Sequence, residues 1–211
     1  RAHMSLIKRK HTRLKALKAF LGHCKKQGWF DYAFWSAVNI KVEQKTKRGA
    51  TDKEVFTLLR LLDLTKFVHL RDATAILTMY TTGIRVATLA QLENKHLDII
   101  AKTLKIDGGI IKNHKVLHLP ISDELAKLFT ILKNQNDMIR KERKKRNENL
   151  FITQYGDPVD YSQSHNLIQK RINYYMREYG FKNLSPHALR RGFAKNLLNK
   201  GANIALISKA L

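Results

Sequence analysis

The chain has 211 residues, 44% of them hydrophobic, enough for one good globular core or two small domains. Forty lysines and arginines against 17 acidic residues leave a formal charge of +23, far beyond what solubility requires, and such self-repulsion calls for a polyanionic partner, nucleic acid first. A membrane surface is the disfavoured rival: no stretch reaches the run of about 18 apolar residues a span needs, and the basic residues are spread along the chain instead of gathered on one amphipathic helix. Cys24 is the only cysteine, which excludes an internal disulfide and a thiolate metal cluster, suits a reducing cytoplasm and leaves core packing as its expected role.

Arg1-Ala2-His3-Met4 resembles a cloning remnant, lacks the apolar core of a signal peptide and is set aside. Leu14, Leu17, Leu21 and Cys24 recur at helical spacing in a lysine-rich segment, predicting an amphipathic helix from about Lys8 to Gln27 that Gly28 ends. Trp29, Phe30, Tyr32, Phe34 and Trp35 follow as an aromatic cluster, read as a packing knot before a base-stacking platform. Residues 41–50, with Lys45, Lys47, Arg48 and Gly49, form a basic linker. Thr51-Asp52-Lys53-Glu54 is a capping box ahead of Val55, Leu58, Leu59 and Leu62, so a new domain starts here.

A buried helix is predicted over His69 to Thr81, broken by Thr82-Gly83. Leu97 to Ile106 reads as one strand. Ile110 to Lys112 and Lys115 to Leu119 flank the polar turn Asn113-His114 as a hairpin before Pro120, which makes the sheet small. A long helix runs from Ser122 to about Asn149 and ends in the basic run Arg140 to Arg146, either a solvated helix end or a DNA-backbone contact. A further helix covers Ser162 to Tyr179. Ser185-Pro186 then supplies an N-cap and a first-turn proline for a helix carrying His187 and Arg190 on one side, with Gly201 as its stop and a last helix from near Asn203.

Three separated places offer cationic or acid–base groups beside structural punctuation: Gly83-Ile84-Arg85, the hairpin with Lys112, and His187 with Arg190. Each has an ordinary reading as well: a cap or surface arginine, a solvated hairpin lysine, a polar helix start. A helix N-terminus carrying a histidine and a guanidinium suits a phosphoryl group.

Taken in order, Thr81-Thr82-Gly83-Ile84-Arg85-Val86, then Ile111-Lys112-Asn113-His114-Lys115 running into Leu119-Pro120, then Leu184-Ser185-Pro186-His187-Ala188-Leu189-Arg190 closely resemble the tyrosine recombinases, the phage integrase family. The resemblance covers about Thr51 to Leu211. Residues 5–40 look like the closing part of that family's helical core-binding domain, ahead of the linker at 41–50 and a catalytic domain at 51–211. The resemblance implies a mainly α fold with a small antiparallel β-sheet. It also implies conservative site-specific strand exchange on double-stranded DNA, by a homo-tetramer assembled on paired sites that is monomeric without DNA.

By the same resemblance Arg85 and Arg190 clamp the scissile phosphate, Lys112 protonates the departing 5′-oxygen and His187 assists proton transfer. Planar guanidinium forks match nonbridging oxygens and stabilise the charge of a phosphorane, and an ammonium can protonate a poor alkoxide leaving group. No metal or other cofactor is called for. Lys45, Lys47, Arg48, His114, Lys115 and Arg191 are the expected further DNA contacts.

The family nucleophile is a tyrosine that forms a 3′-phosphotyrosyl bond and so conserves the phosphodiester energy. It is expected beyond Leu211, because Tyr174, Tyr175 and Tyr179 all precede His187; the chain as given should then bind DNA without cleaving it. Two departures stand out. Thr88 sits where the family usually has an acidic residue three positions after its first arginine, and Arg191 where a histidine is frequent. A type IB topoisomerase shares this chemistry and remains an alternative, as does a DNA-binding relative without activity.

Overall fold

The computed structural model describes residues 2–38, 47–110, 116–159, 166–205 and 207, with the side chains of residues 2–9 and 11 left aside. The chain falls into two compact units, Arg1–Thr46 and Lys47–Leu211.

In the first unit helix α1 spans Ala2–Lys26, so it begins inside the tetrapeptide set aside in the sequence. Gly28, at φ 75°, turns the chain out of the helix, a conformation glycine adopts without steric cost. Cys24 is buried at 2% exposure, as its spacing suggested. The aromatic knot forms: Phe30, Phe34 and Trp35 meet edge-on or tilted at ring separations of 5.1–5.8 Å. Its outer rim, Trp29, Tyr32 and Phe34, remains more than half exposed.

The second unit is built around helix α3. Helix α2 (Asp52–Leu61) precedes it, and both halves of the predicted capping box are made: the Glu54 amide donates to the Thr51 hydroxyl, and the Thr51 amide donates to the Glu54 carboxylate at 2.9 Å. Val55 and Leu58 are fully buried, each contributing roughly 1.5–3 kcal/mol of apolar burial.

Helix α3 (Phe67–Thr82) is buried on nearly all sides and packs against α2 and four later helices, although it is rich in threonine. Those hydroxyls are satisfied within the helix: Thr74, Thr78 and Thr82 donate to the carbonyls of Leu70, Thr74 and Thr78 at 2.6–2.8 Å. No threonine hydroxyl of this face is therefore buried without a partner. Gly83 ends the helix at φ 68°, and a Cβ there would lie 2.3 Å from the Phe193 ring, so glycine is required by conformation and by space. Short helix α4 (Val86–Ala90) follows.

Three antiparallel strands in the order β1-β2-β3 make the sheet: β1 (Leu97–Asp98), β2 (Thr103–Ile106) and β3 (Leu117–Pro120). The single strand expected over Leu97–Ile106 is thus two. Asp98 accepts the Ala101 amide at 2.8 Å and Lys102 takes φ 48°, so a side-chain-capped turn reverses the chain between them. The partner of β3 is β2, with Leu104 opposite Leu119 and Ile106 opposite Leu117. Ile110 belongs to a 3-10 turn at Gly108–Ile110 and not to a hairpin strand, and the predicted tip at 111–115 lies outside the described residues.

Helix α5 (Asp123–Arg143) is capped by Ser122 and stops six residues short of the expected Asn149, where Lys144 enters the left-handed region at φ 53°. The local sequence has no helix breaker there. The stop follows from burying Leu150, Phe151 and Ile152 completely, and the return loop is held by the buried Arg140 guanidinium, which donates to the Asn149 carbonyl, and by Asn136, which donates to the Leu150 carbonyl at 2.9 Å.

Helix α6 (Leu167–Glu178) starts at its Asn166 cap, later than expected, and the first residues of the predicted helix, 162–165, lie outside the described residues. Helix α7 (Pro186–Asn199) has the predicted Ser185 cap and first-turn proline. Gly201 follows at φ 84°, and the Ile207 amide donates to the Asn203 carbonyl, the start of the last turn expected there.

One buried polar cluster had no sequence signal. Asp72, 1% exposed, accepts from Nε and Nη2 of Arg71 at 3.0 and 2.7 Å, from Nε of Arg171 at 2.7 Å and from the Tyr175 hydroxyl at 2.7 Å. Arg71 reaches on to the Ile152 carbonyl. Burial, then the Asp72 charge, push the Tyr175 hydroxyl above its ordinary range. Asp72 thus gathers α3, α6 and the loop after α5 at one end of α3.

Candidate active site

At the other end of α3 lie Arg85, His187 and Arg190, the residues expected from the sequence to form a site. Ile84, 5% exposed, pins the chain after Gly83. Arg85 then occupies the N-cap position of α4 in extended conformation, its own carbonyl accepting the Leu89 amide at 2.8 Å, while its side chain stands exposed. Across from this turn, α7 presents Arg190, whose Nη1 donates to the Gly83 carbonyl. The two guanidinium groups are electrostatically coupled: burial, and behind it the Arg85 charge, push Arg190 down to about 10.

Among the described residues no carboxylate forms an ion pair with Arg85 or Arg190. Two arginines, one half-buried, held together by backbone geometry without a counter-charge, make a site that an anion completes. His187 lies in the exposed first turn of α7, three residues before Arg190, where the N-terminal amides also favour an anion.

The structure therefore brings Arg85, Arg190 and the His187 turn to one end of the second unit. Lys112, His114 and Lys115 lie outside the described residues, as does Lys45. Lys47 and Arg48 are exposed at the start of the unit. Arg191 turns away from the Arg190 side: its Nε and Nη2 donate to the Arg48 carbonyl at 3.1 and 3.0 Å. Thr88, at the position where an acidic residue was expected, is buried and donates to the Ile110 carbonyl at 3.3 Å.

Behind the arginines lies a polar group that motif reading missed. The Tyr80 hydroxyl donates to Asp52 at 2.5 Å and Asn196 donates to both, which ties α2, α3 and α7 together next to the site. Burial, then the bond to Asp52, push the Tyr80 hydroxyl up to about 12, so it stays protonated as a donor. Its spacing in sequence, 28 residues from Asp52 and 116 from Asn196, offers no local pattern to find it by. Among the described residues no group of three His, Cys, Asp or Glu is placed to hold a metal ion, and no helix is long and apolar enough to cross a membrane.

A small antiparallel sheet on a helical body is the fold of a tyrosine recombinase catalytic domain. Residues 50–211 match the phage integrase family, and the chain belongs to it. It is similar to tyrosine recombinase XerD of Staphylococcus haemolyticus, 32% identical over 172 residues, and to XerD of Staphylococcus saprophyticus, 29% identical over 173 residues; each match covers 81% of this chain and 56% of the relative. The chain thus spans little more than half the length of these curated relatives.

Among solved structures, the Tn1549 transposon integrase in complex with circular intermediate DNA superposes with a TM-score of 0.74 at 18% identity, covering 97% of this chain and 70% of that one. The XerA recombinase gives 0.62 at 21% identity, covering 94% and 64%. These likenesses show the fold.

Proposed function

We propose that this chain carries the phosphate-activating core of a site-specific DNA recombinase that performs conservative strand exchange through a 3′-phosphotyrosyl intermediate. The observation that carries the reading is the pair Arg85 and Arg190, converging without a carboxylate partner among the described residues. In this role the two forks hold the nonbridging oxygens of the scissile phosphate and neutralise the charge that grows in the phosphorane. The Gly83 carbonyl holds Arg190 by one amino group and leaves the rest of the fork for the phosphate. His187 moves a proton at the phosphate, and Lys112 gives one to the 5′-oxygen as it leaves.

The tyrosine nucleophile is not assigned within residues 1–211. Tyr80 and Tyr175 have their hydroxyls committed to Asp52 and Asp72, and Tyr174, Tyr175 and Tyr179 precede the His187 helix. The chain by itself is accordingly a DNA binder that does not cleave. Double-stranded DNA is the partner, consistent with the charge of +23, with Lys45, Lys47, Arg48, His114 and Lys115 adding backbone contacts and a tetramer forming on paired sites.

The test incubates the full-length protein with DNA of its mobile element carrying a nicked cleavage site and looks for a covalent protein–DNA adduct on a denaturing gel. An adduct is expected, formed about 100- to 1,000-fold more slowly after Arg190→Ala, the loss seen when one preorganised charge-stabilising donor is removed. An adduct formed at the wild-type rate by Arg85→Ala and Arg190→Ala overturns the clamp.

A further inference from the structure

Residues Lys47 to Ala50 cross the back of α7 with no room between the two backbones. A Cβ on Gly49 would fall 2.6 Å from the Gly192 nitrogen, and one on Gly192 would fall 2.5 Å from the Ala50 carbonyl oxygen. Three consecutive residues of this segment are fastened through their backbone: the Arg48 carbonyl accepts both Nε and Nη2 of Arg191, the Gly49 carbonyl accepts Asn183 Nδ2 at 2.6 Å, and the Ala50 amide donates to the Ala188 carbonyl at 2.8 Å.

Residues on both sides of Arg190 in α7 thus grip one short segment, and the segment carries two exposed cations, Lys47 and Arg48, with no carboxylate paired to either among the described residues. A guanidinium beside a phosphate site would ordinarily be read as a phosphate ligand. Here two of its donors are spent on a carbonyl, and a planar fork converging on one oxygen is an orienting contact that the point charge of lysine reproduces poorly.

We propose that Arg191 is a positioning residue: it holds the Arg48 carbonyl so that the Lys47 and Arg48 side chains are presented, already ordered, to the DNA backbone next to the Arg190 clamp. The inference rests on the DNA-binding reading above. Ordering the segment in advance removes an entropic cost that free lysine and arginine side chains on a loose chain would otherwise meet on binding.

The experiment measures anisotropy of a fluorescein-labelled random-sequence duplex with this chain across a range of sodium chloride concentrations. Each phosphate contact contributes about 0.9 to the slope of log affinity against log salt, so Lys47→Ala with Arg48→Ala should lower the slope by about 2. Arg191→Met should lower the wild-type slope too, yet add nothing in the Lys47→Ala/Arg48→Ala background. Asn183→Ala removes no charge but loosens the same segment, and it should reduce the slope and speed hydrogen exchange at the Ala50 amide; it also carries the test if Arg191→Met fails to fold.

Additive losses for Arg191→Met, or a wild-type slope for Asn183→Ala, overturn the proposal and return Arg191 to the direct phosphate contacts. A wild-type chain without salt-dependent affinity overturns the DNA-binding reading itself.

Discussion

The two ends of α3 handle arginine in opposite ways. At the N-terminal end Arg71 and Arg171 share one buried carboxylate, and every atom of Asp72 that can accept a bond does so. At the C-terminal end Arg190 donates to the Gly83 carbonyl and feels the Arg85 charge, with no carboxylate paired to either among the described residues, and Arg190 is held down to about 10. Between the two ends lie about 18 Å of helix, twelve residues at 1.5 Å each. A charge whose partner is built in serves the fold. A charge left without one keeps its binding capacity for something that arrives.

The comparison breaks most readily at Asp72. Replacing it with alanine strands two cations, one of them buried, and should cost about 3–5 kcal/mol in urea unfolding; a loss below about 1 kcal/mol would mean that the cluster is not what joins α3 to α6. Gly83→Ala attacks the other end through the backbone. It sets a Cβ into the Phe193 ring at a left-handed position, and about 2–4 kcal/mol should be lost, together with the Arg190 anchor, whereas Gly201→Ala, left-handed but in open space, should cost only about 1–2 kcal/mol.

The smallest effect sharpens the electrostatics. Arg85→Ala removes one of the two causes of the Arg190 depression, so the Arg190 titration, followed by the guanidinium carbon resonance in NMR, should move up from about 10, and addition of inorganic phosphate should move it up as well. The linkage has a definite sign. Because the folded value lies below the ordinary 12.5, the folded state releases this proton first; the group weighs against folding below about pH 10, and that weight lifts as pH rises through 10 toward 12.5. A titration unchanged by Arg85→Ala would show that burial alone sets it.

Legibility followed the range of the interaction. Arg85, His187 and Arg190 could be picked out because each stands within five residues of its own punctuation, glycine before the first and Ser185-Pro186 before the others. Asp72, Arg171 and Tyr175 could not, since the cluster joins residues about a hundred positions apart and its members look like ordinary helix-surface polarity in sequence. Arg191 was equally illegible, for nothing near it in sequence signals that its fork is turned to a carbonyl 143 residues earlier.

By itself, then, the sequence determined what short-range chemistry can encode: the capping box of α2, the buried character of α3, the glycine stop at Gly83, the capped start of α7 and the spacing of Arg85, His187 and Arg190 along them. Caps, turns and helical periodicity act over three or four residues, so they are written in neighbouring letters. Only the tertiary structure decided where α5 stops, which charges are neutralised and which stay open. Each of those outcomes depends on burying a distant apolar segment or on pairing a buried group with one remote in sequence.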